Sequence, residues 1–403
     1  MADSSELESN IRKVLSSSYA PSGEEGVAEI AEHNFESEKF VENVYRDCVQ
    51  EFGQTHAITT EVFFKLYDIW IGLYRLDKCE TELVHFGQDT VRTIQVWAFL
   101  RWKQGNLSEA IQLFERMERM MTVPSAALAE NMAHTYSSLG DLDKAQVYFE
   151  KAKGLAGSNT GGILLGLGLL KNRRYGGSQG LEECLDAYNW YFEKFSKKGN
   201  VSSLEGKCAI SLAKIYTDSE DEQRATEYAD IAVANFRITC GHDSPLLSSA
   251  LRTKGDVSWK LTEDSDAARN AYMEALSIEA CKDGINLVEL IELINLIVDT
   301  MRNPTRNQHE AIETLDRTAF GPLLRVCLDA CDTVRRRLPK NADMGAFLKI
   351  VAETAIWANE LQIAKDLLGE AVPLFEAGDS QACAVLIAQS NQILSLIDSR
   401  IIR

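Results

Sequence analysis

The sequence has little of what interrupts a helix or spans a membrane. Only 7 of its 403 residues are proline, so long helices can form without an internal break. A membrane-spanning helix needs about 18 consecutive apolar residues, and the longest run, GGILLGLGLL at 161–170, has about half that length. The opening segment MADSSELESN lacks the basic and apolar regions of a secretory signal. We therefore expect a helical protein in the cytoplasm, without membrane insertion.

Histidines and cysteines do not form a recognisable metal or disulfide pattern. The 9 cysteines are odd in number and scattered, and there is no export signal, which argues against a disulfide framework. Cys327 and Cys331 lie four residues apart on a predicted helix and could hold one side of a metal ion. No CxxC pair or paired histidine lies nearby to complete the site. We therefore interpret both cysteines as buried packing residues and expect no metal and no cofactor.

Catalytic motifs are also lacking. The glycine-rich segment GSNTGGILLGLG at 157–168 has neither a preceding strand nor the Lys-Ser/Thr pair of a phosphate-binding loop. Close helix packing and a flexible joint explain its glycines better. The sequence contains no HExxH, GxSxG or HxE…CxxC pattern. We therefore expect no enzyme, and a catalytic role would require a cluster of titratable groups near RRYGGSQG at 173–180.

The net charge is strongly negative. Sixty acidic residues outnumber 42 basic ones, for a formal charge of −18 at pH 7. A surface that binds phosphate groups is normally basic. The charge therefore argues against general binding of nucleic acid or of an anionic membrane.

What the sequence does contain is a recurring set of small residues. Two copies carry two alanines, one glycine and one phenylalanine at the same spacing, 35 residues apart: Ala98, Gly105, Ala110 and Phe114, then Ala133, Gly140, Ala145 and Phe149. A period near this length indicates a helical solenoid, in which each unit buries its apolar face against its neighbours. Such a protein is far more suited to binding than to catalysis.

The second copy shows why each residue type is needed. Ala133 and Ala145 allow two antiparallel helices to approach closely, and Phe149 fills the gap to the next hairpin. Gly140 ends the first helix in a left-handed conformation, and Asp141 caps the second. These residues, in this order, resemble the tetratricopeptide repeat, a helix-turn-helix unit of about 34 residues.

Further copies keep the spacing less strictly, and the resemblance extends over about residues 24–376. Between Ala213 and Gly255 the step is 42 residues, and the copy around Gly255 has one extra residue in its turn, LTEDSD. The connectors FGQTH at 52–56 and CGHDSP at 240–245 resemble those of kinesin light chains and nephrocystin-type repeat proteins.

The resemblance implies an all-α fold, a right-handed superhelical solenoid of stacked helix-turn-helix hairpins. We expect five regions along the chain: an acidic, serine-rich flexible tail at 1–23, N-terminal repeats at 24–155, an irregular helical hairpin with a loop at 156–200, C-terminal repeats at 201–302, and a helical extension with one further repeat and a capping helix at 303–403.

In this family the first helix of each hairpin lines a concave surface that binds other proteins. The phase of the repeats places these partner-binding candidates on that surface: Arg92, Phe99, Trp102, Lys103, His134, Lys214, Arg252, Trp259 and Lys260. The pairs Trp102-Lys103 and Trp259-Lys260 suit a peptide with acidic and apolar side chains, since the ring offers contact area and the cation offers orientation. Alternatively, each tryptophan packs against the neighbouring hairpin, and the sequence leaves both interpretations open.

Two functions follow from the resemblance. The first is a non-catalytic scaffold or adaptor that holds a peptide or helix of a partner, within a cytoskeletal, ciliary or transport assembly. The second is a co-chaperone-like module that binds short peptide tails. Family members of the second kind clamp a carboxylate with asparagines and lysines, and here His134 stands where a clamp asparagine is expected. An open, charged surface with paired cations would favour the second function, and a buried apolar groove the first. Partner identity and oligomeric state are not predicted.

Overall fold

The structure, a computed structural model, consists of α-helices and short helical turns, without strands, in the residues it describes. These residues are 4–16, 30–72, 76–157, 160–198, 201–242, 244–281, 286–302, 320–338, 340–378 and 380–401. The chain divides into two compact units, which we call unit 1 (Met1–Asp221 with Ala234–Gly241) and unit 2 (Glu222–Val233 with His242–Arg403). The all-α class predicted from the sequence is confirmed.

Unit 1 consists of helices that follow one another in hairpins. In chain order they are α1 (Ser4–Ser16), α2 (Ile30–Phe52), α3 (Ala57–Gly72), α4 (Leu76–Leu83), α5 (Val91–Lys103), α6 (Leu107–Met120), α7 (Ala126–Leu139), α8 (Leu142–Leu155), α9 (Gly161–Tyr175), α10 (Leu181–Lys194) and α11 (Ser203–Asp218). The pairs α5/α6, α7/α8 and α9/α10 form the most extensive contacts of unit 1, and each hairpin also contacts the next. Stacked hairpins of the predicted kind are therefore present.

The repeated residues occupy the positions that their chemistry predicts. Ala98, Ala110, Ala133 and Ala145 are completely buried between helices. Gly140 has φ of +85°, the left-handed conformation in which a side chain is disfavoured. Asp141 caps α8 as predicted, since its side chain accepts a hydrogen bond from the backbone N–H group of Lys144. Asn106 caps α6 in the same way, with its side chain accepting from the N–H group of Glu109. One contiguous apolar core connects α1 to α9.

The first part of the region 1–23, which the sequence predicts to be a tail, contains a helix. Residues Ser4–Ser16 form α1, and Leu7, Ile11 and Val14 are buried in the core of unit 1. Their spacing of four and three residues places all three on one side of a helix. Residues 17–23 lie outside the described part of the chain.

Unit 2 has the same architecture of paired helices. Residues of α12 (Glu222–Cys240) belong to both units, and unit 2 continues with α13 (Pro245–Val257), α14 (Ser265–Cys281), α15 (Leu287–Arg302), α16 (Phe320–Arg337), α17 (Ala342–Trp357), α18 (Leu361–Glu376) and α19 (Gln381–Ile401). The pairs α13/α14 and α17/α18 form extensive hairpin contacts, and α19 packs on α18. The turn LTEDSD at 261–266, in which the sequence predicts one extra residue, begins inside a π-helical segment, Ser258–Thr262, between α13 and α14.

Cys327 and Cys331 are fully buried free thiols on α16, as the packing interpretation predicts. Burial raises the pKa of Cys331 to about 12. Among the described residues, no three histidine, cysteine or acidic side chains come together in a way that could hold a metal ion. None of the described helices has both the length and the apolar character needed to cross a membrane.

Candidate functional site

The first helices α7, α9 and α11 of unit 1 lie next to one another. Helix α7 contacts α9, and α9 contacts α11. Side chains that point away from the second helices therefore share one surface, which we call the first-helix surface. Seven residues define it: Phe99 and Lys103 of α5, Glu130 and His134 of α7, Arg173 of α9, and Lys207 and Lys214 of α11.

Glycines of α9 bring that helix close to α7. A methyl group added at Gly166 would collide with the ring of Phe149 and come within 3.2 Å of His134 Cε1. A methyl group at Gly162 would collide with the carboxylate of Glu130. The guanidinium of Arg173 donates a hydrogen bond of 2.6 Å to the backbone carbonyl of Ser137. The packing prediction for the glycine-rich segment is therefore confirmed at these two positions.

His134 lies at the centre of the first-helix surface. Its ring meets Phe149 edge to face, with centroids 5.0 Å apart, and its Nε2 is 3.9 Å from Glu130 Oε1. The side chain keeps 40 % of its accessibility, yet the surrounding protein, with a smaller contribution from the charge of Lys207, lowers its pKa to about 4. A side chain that is both accessible to water and surrounded by protein lies in a recess. At neutral pH this imidazole is uncharged.

Lys207 lies in the same environment. Its side chain is exposed, but desolvation by the surrounding protein lowers its pKa, and the nearby ammonium of Lys103 lowers it further. Lys103 Nζ lies 5.1 Å from the ring centroid of Trp102. Lys214 follows Lys207 by seven residues and therefore lies on the same side of α11. Two ammonium groups from distant parts of unit 1, Lys103 and Lys207, thus influence each other on this surface.

The charge of the first-helix surface is opposite to that of the chain. Its four cationic residues are Lys103, Arg173, Lys207 and Lys214, its acidic residue is Glu130, and the whole chain carries −18. The charged form of Lys207, whose pKa a neighbouring ammonium lowers, is stabilised when an anion binds beside it. The arrangement is therefore suited to acidic groups of a partner.

The two aromatic candidates of α5 belong partly to the core. Phe99 is half-buried and meets Phe114 edge to face, with centroids 5.8 Å apart. Trp102 is half-buried and packs against the core of unit 1. Each ring therefore has one side in the protein and leaves only its remaining area for a partner.

Arg92 already has partners inside unit 1. Its guanidinium Nη1 lies 2.7 and 2.9 Å from the two carboxylate oxygens of Glu61. The guanidinium carbon also lies 4.0 Å from the ring centroid of Phe64. The side chain connects α5 to α3 and stands apart from the cations named above.

The candidates in unit 2 do not form a comparable surface. Arg252 connects α13 to α15 through two ion pairs, at 2.7 Å to Glu289 and 2.7 Å to Glu292. Trp259 is half-buried and Lys260 is exposed, and both lie in the π-helical segment. Because the backbone there is wound more widely than an α-helix, this pair does not share the backbone geometry of Trp102-Lys103.

Sequence reasoning missed Lys207 and Arg173. Lys207 could have been found by its spacing of seven residues from Lys214, since both lie on one side of α11. Arg173 was recognised only as part of a candidate loop, RRYGGSQG, whereas it lies in the last turn of α9. Because α9 is a regular first helix, it brings the guanidinium of Arg173 to α7.

Comparison with known proteins agrees with this architecture. A family model described as tetratricopeptide repeat matches residues 126–159, which include α7 and α8. The fold is similar to that of a Rap protein solved in complex with Competence and Sporulation Factor, with a TM-score of 0.51, 12 % identity, and 99 % of each chain covered. The apo form of the quorum sensor NprR from B. thuringiensis aligns with a TM-score of 0.47 and 13 % identity, over 92 % of this chain and 99 % of that one.

No curated protein matches the sequence. The finer resemblance to kinesin light chains is not confirmed by these comparisons and stays a prediction. The family match, the capped hairpins and the stacked first helices agree with one another. Residues 126–159 thus match the tetratricopeptide repeat, and the described residues of the chain have a fold of helical hairpins similar to that of the Rap protein.

Proposed function

We propose that this chain is a non-catalytic interaction scaffold whose first-helix surface in unit 1 binds an acidic segment of a partner protein. Helical repeat arrays of this kind typically serve protein–protein interaction. The observation that carries the proposal is the state of His134 and Lys207, which are accessible to water and yet desolvated by surrounding protein. A recess in which Lys207 lies near a second ammonium group, that of Lys103, suits a carboxylate-bearing peptide.

The chemistry of the recess also indicates what the segment contains. Lys103 and Lys207 can form charge-assisted hydrogen bonds to Asp or Glu side chains. The neutral ring of His134 and the half-buried ring of Phe99 offer apolar area beside those cations. An acidic segment that carries a few apolar side chains therefore fits better than a purely acidic one. The net charge of −18 argues against nucleic acid as the ligand.

A second candidate function is the binding of a free peptide terminus, as in co-chaperone-like modules. The paired cations Lys103 and Lys207 favour it, because two ammonium groups can hold one terminal carboxylate. The replacement of a clamp asparagine by His134 argues against the known chaperone clamp. A cytoplasmic location, and a place in a cytoskeletal, ciliary or transport assembly, stay predictions from the sequence.

The proposal is tested with fluorescent peptides and fluorescence anisotropy. An acidic peptide with interspersed leucines is expected to bind, and its basic counterpart is not. Lys207→Glu should weaken binding by about tenfold or more, which corresponds to about 1.4 kcal/mol. Lys39→Glu introduces the same charge change at an exposed lysine of α2 and should leave binding unchanged.

Amidation of the peptide C-terminus separates the two functions. A scaffold that recognises acidic side chains binds the amidated and free peptides equally well, whereas a module that binds peptide termini does not bind the amidated peptide. Equal binding by Lys207→Glu and by the wild type would contradict both functions at this surface.

A further inference from the structure

Helix α19 packs on unit 2 with one side only. Its buried positions Cys383, Ser390 and Ile397 recur every seven residues. On the opposite side, Val385 is 52 % exposed and Leu396 is 58 % exposed. Gln389 and Gln392 are exposed between them. These last four residues are spaced by four, three and four positions and form one line along the helix, which we call the α19 stripe.

The helix carries no charge along almost its whole length. Between Gln381 and Ile397 there is no Asp, Glu, Lys or Arg. At the chain average of 25 % charged residues, about four of these positions would be charged. The first charged residue after them, Asp398, is used within unit 2, in an ion pair of 2.7 Å with Lys365 of α18. An exposed helix side that carries no charge and has a valine and a leucine on it is typical of an interface.

The α19 stripe is complementary to itself in the antiparallel direction. Its centre lies between Ser390 and Asn391, so that Val385 on one side corresponds to Leu396 on the other. Gln389 corresponds in the same way to Gln392. If two copies pair antiparallel about a two-fold axis, each Val385 meets a Leu396, and each Gln389 meets a Gln392. Such a self-complementary patch is what an isologous interface requires.

We propose that the α19 stripe binds a second copy of this chain, so that the protein forms a two-fold symmetric dimer through antiparallel α19 helices. Two copies that each carry −18 repel least where both are uncharged. Amide side chains both donate and accept hydrogen bonds, so the two glutamine pairs satisfy each other. A purely apolar partner helix would leave these amides without partners, and a charged one would find no opposite charge.

Small residues beside the stripe allow the helices to approach. Ala382, Ala388 and Ser395 are exposed on either side of it, and small side chains permit close packing of two helix backbones. The single helix pair is a limited contact, so the dimer is expected to depend on concentration.

Sedimentation velocity of the full chain over a range of concentrations tests the proposal. The wild type should change from monomer to dimer as concentration rises. Val385→Glu/Leu396→Glu should raise the dimer Kd at least about tenfold, because each glutamate is placed against another in the pair. Both positions are more than half exposed, so the circular dichroism spectrum and melting temperature should stay near those of the wild type.

A charge-exchange variant tests the antiparallel register. In Val385→Lys/Leu396→Glu, each new lysine meets a glutamate of the other copy, so dimerisation should return. The two changes are eleven positions apart and cannot pair within one helix. Val147→Glu, at a 65 % exposed valine of α8, is the matched control and should dimerise as the wild type does.

Three results would overturn the proposal. The first is a wild type that stays monomeric at every concentration, which would mean that another part of the chain or another protein covers the stripe. The second is a dimer unaffected by the paired glutamates. The third is a charge-exchange variant that folds but does not regain dimerisation.

Discussion

The imidazole of His134 meets the ring of Phe149 edge to face, with centroids 5.0 Å apart, and Gly166 of α9 lies directly beside both. This contact joins a residue of the first-helix surface to one that fills the hairpin core. The absence of a side chain at Gly166 leaves the space in which these two rings lie. Changes at His134 therefore affect both the packing and the electrostatics of the recess.

The pKa of His134 predicts a loss of stability in mild acid. Its folded-state pKa is lowered to about 4, from an ordinary value of 6.5, so the unfolded chain takes up a proton first as the pH falls. The contribution to stability is complete above pH 6.5 and is lost between that value and about 4. His134→Gln should reduce the change in melting temperature between pH 7 and pH 5. Imidazole NMR signals should show one histidine that titrates near pH 4, and a titration near 6.5 for all of them would contradict the recess.

Asp68 of α3 predicts the opposite dependence. Burial raises its pKa to about 7, although Lys65 and Arg92 oppose the shift. Because the folded protein then holds a proton that the unfolded chain releases, this residue costs stability as the pH rises from about 4 to about 7. Asp68→Asn should therefore raise the melting temperature at pH 8 and change it little at pH 4. Equal effects at both pH values in thermal unfolding would show that Asp68 ionises normally.

Gly166 should not tolerate alanine. The added methyl group collides with Phe149, and overpacking a helix contact costs about 1–3 kcal/mol. Gly369 of α18 is the matched control, since nothing lies within 4 Å of a methyl group there. Gly369→Ala should stabilise the protein by up to about 1 kcal/mol through helix propensity. Chemical denaturation measures both variants, and a stabilised Gly166→Ala would contradict the close approach of α9 to Phe149 of α8.

Trp102 should be needed for stability as well as for binding. Because the ring is half-buried against the core, Trp102→Ala is expected to cost about 2 kcal/mol, less than the 3–5 kcal/mol of a fully buried ring. Trp102→Phe should recover most of the loss. Urea unfolding of both variants gives the answer, and an unchanged midpoint for Trp102→Ala would mean that the ring lies free on the surface.

The hairpins could be predicted because each repeat requires small residues at the same helix contacts. Ala133 and Ala145 allow two helices to touch, and Gly140 takes a conformation that other residues avoid, so these residue types and their spacing are visible in the sequence. Contacts between segments that do not belong to a repeat, such as the packing of α1 on the core, could not be predicted in this way. The spacing of the apolar residues in α1 is consistent with one side of a helix, but the polar residues around them favoured the interpretation as a tail.

The recess depends on residues that are far apart in the chain. The lowered pKa of Lys207 results partly from Lys103, more than a hundred positions earlier, and no local pattern connects the two. The candidates in unit 2 were predicted only from their positions within the repeat. The π-helical winding at Trp259 changes the direction in which residues at those positions point. The assignment of Arg252 could not anticipate the acidic residues of α15 that bind it.

A photocrosslinking residue in place of Lys207 tests the central claim most directly, since it reports what contacts the recess in the native cell. The account predicts a covalent adduct at position 207 with an acidic segment of a partner protein, identified by mass spectrometry, and no such adduct from the same residue at position 39. Adducts that are equal at both positions, or no adduct at 207 while the protein is folded, would contradict it.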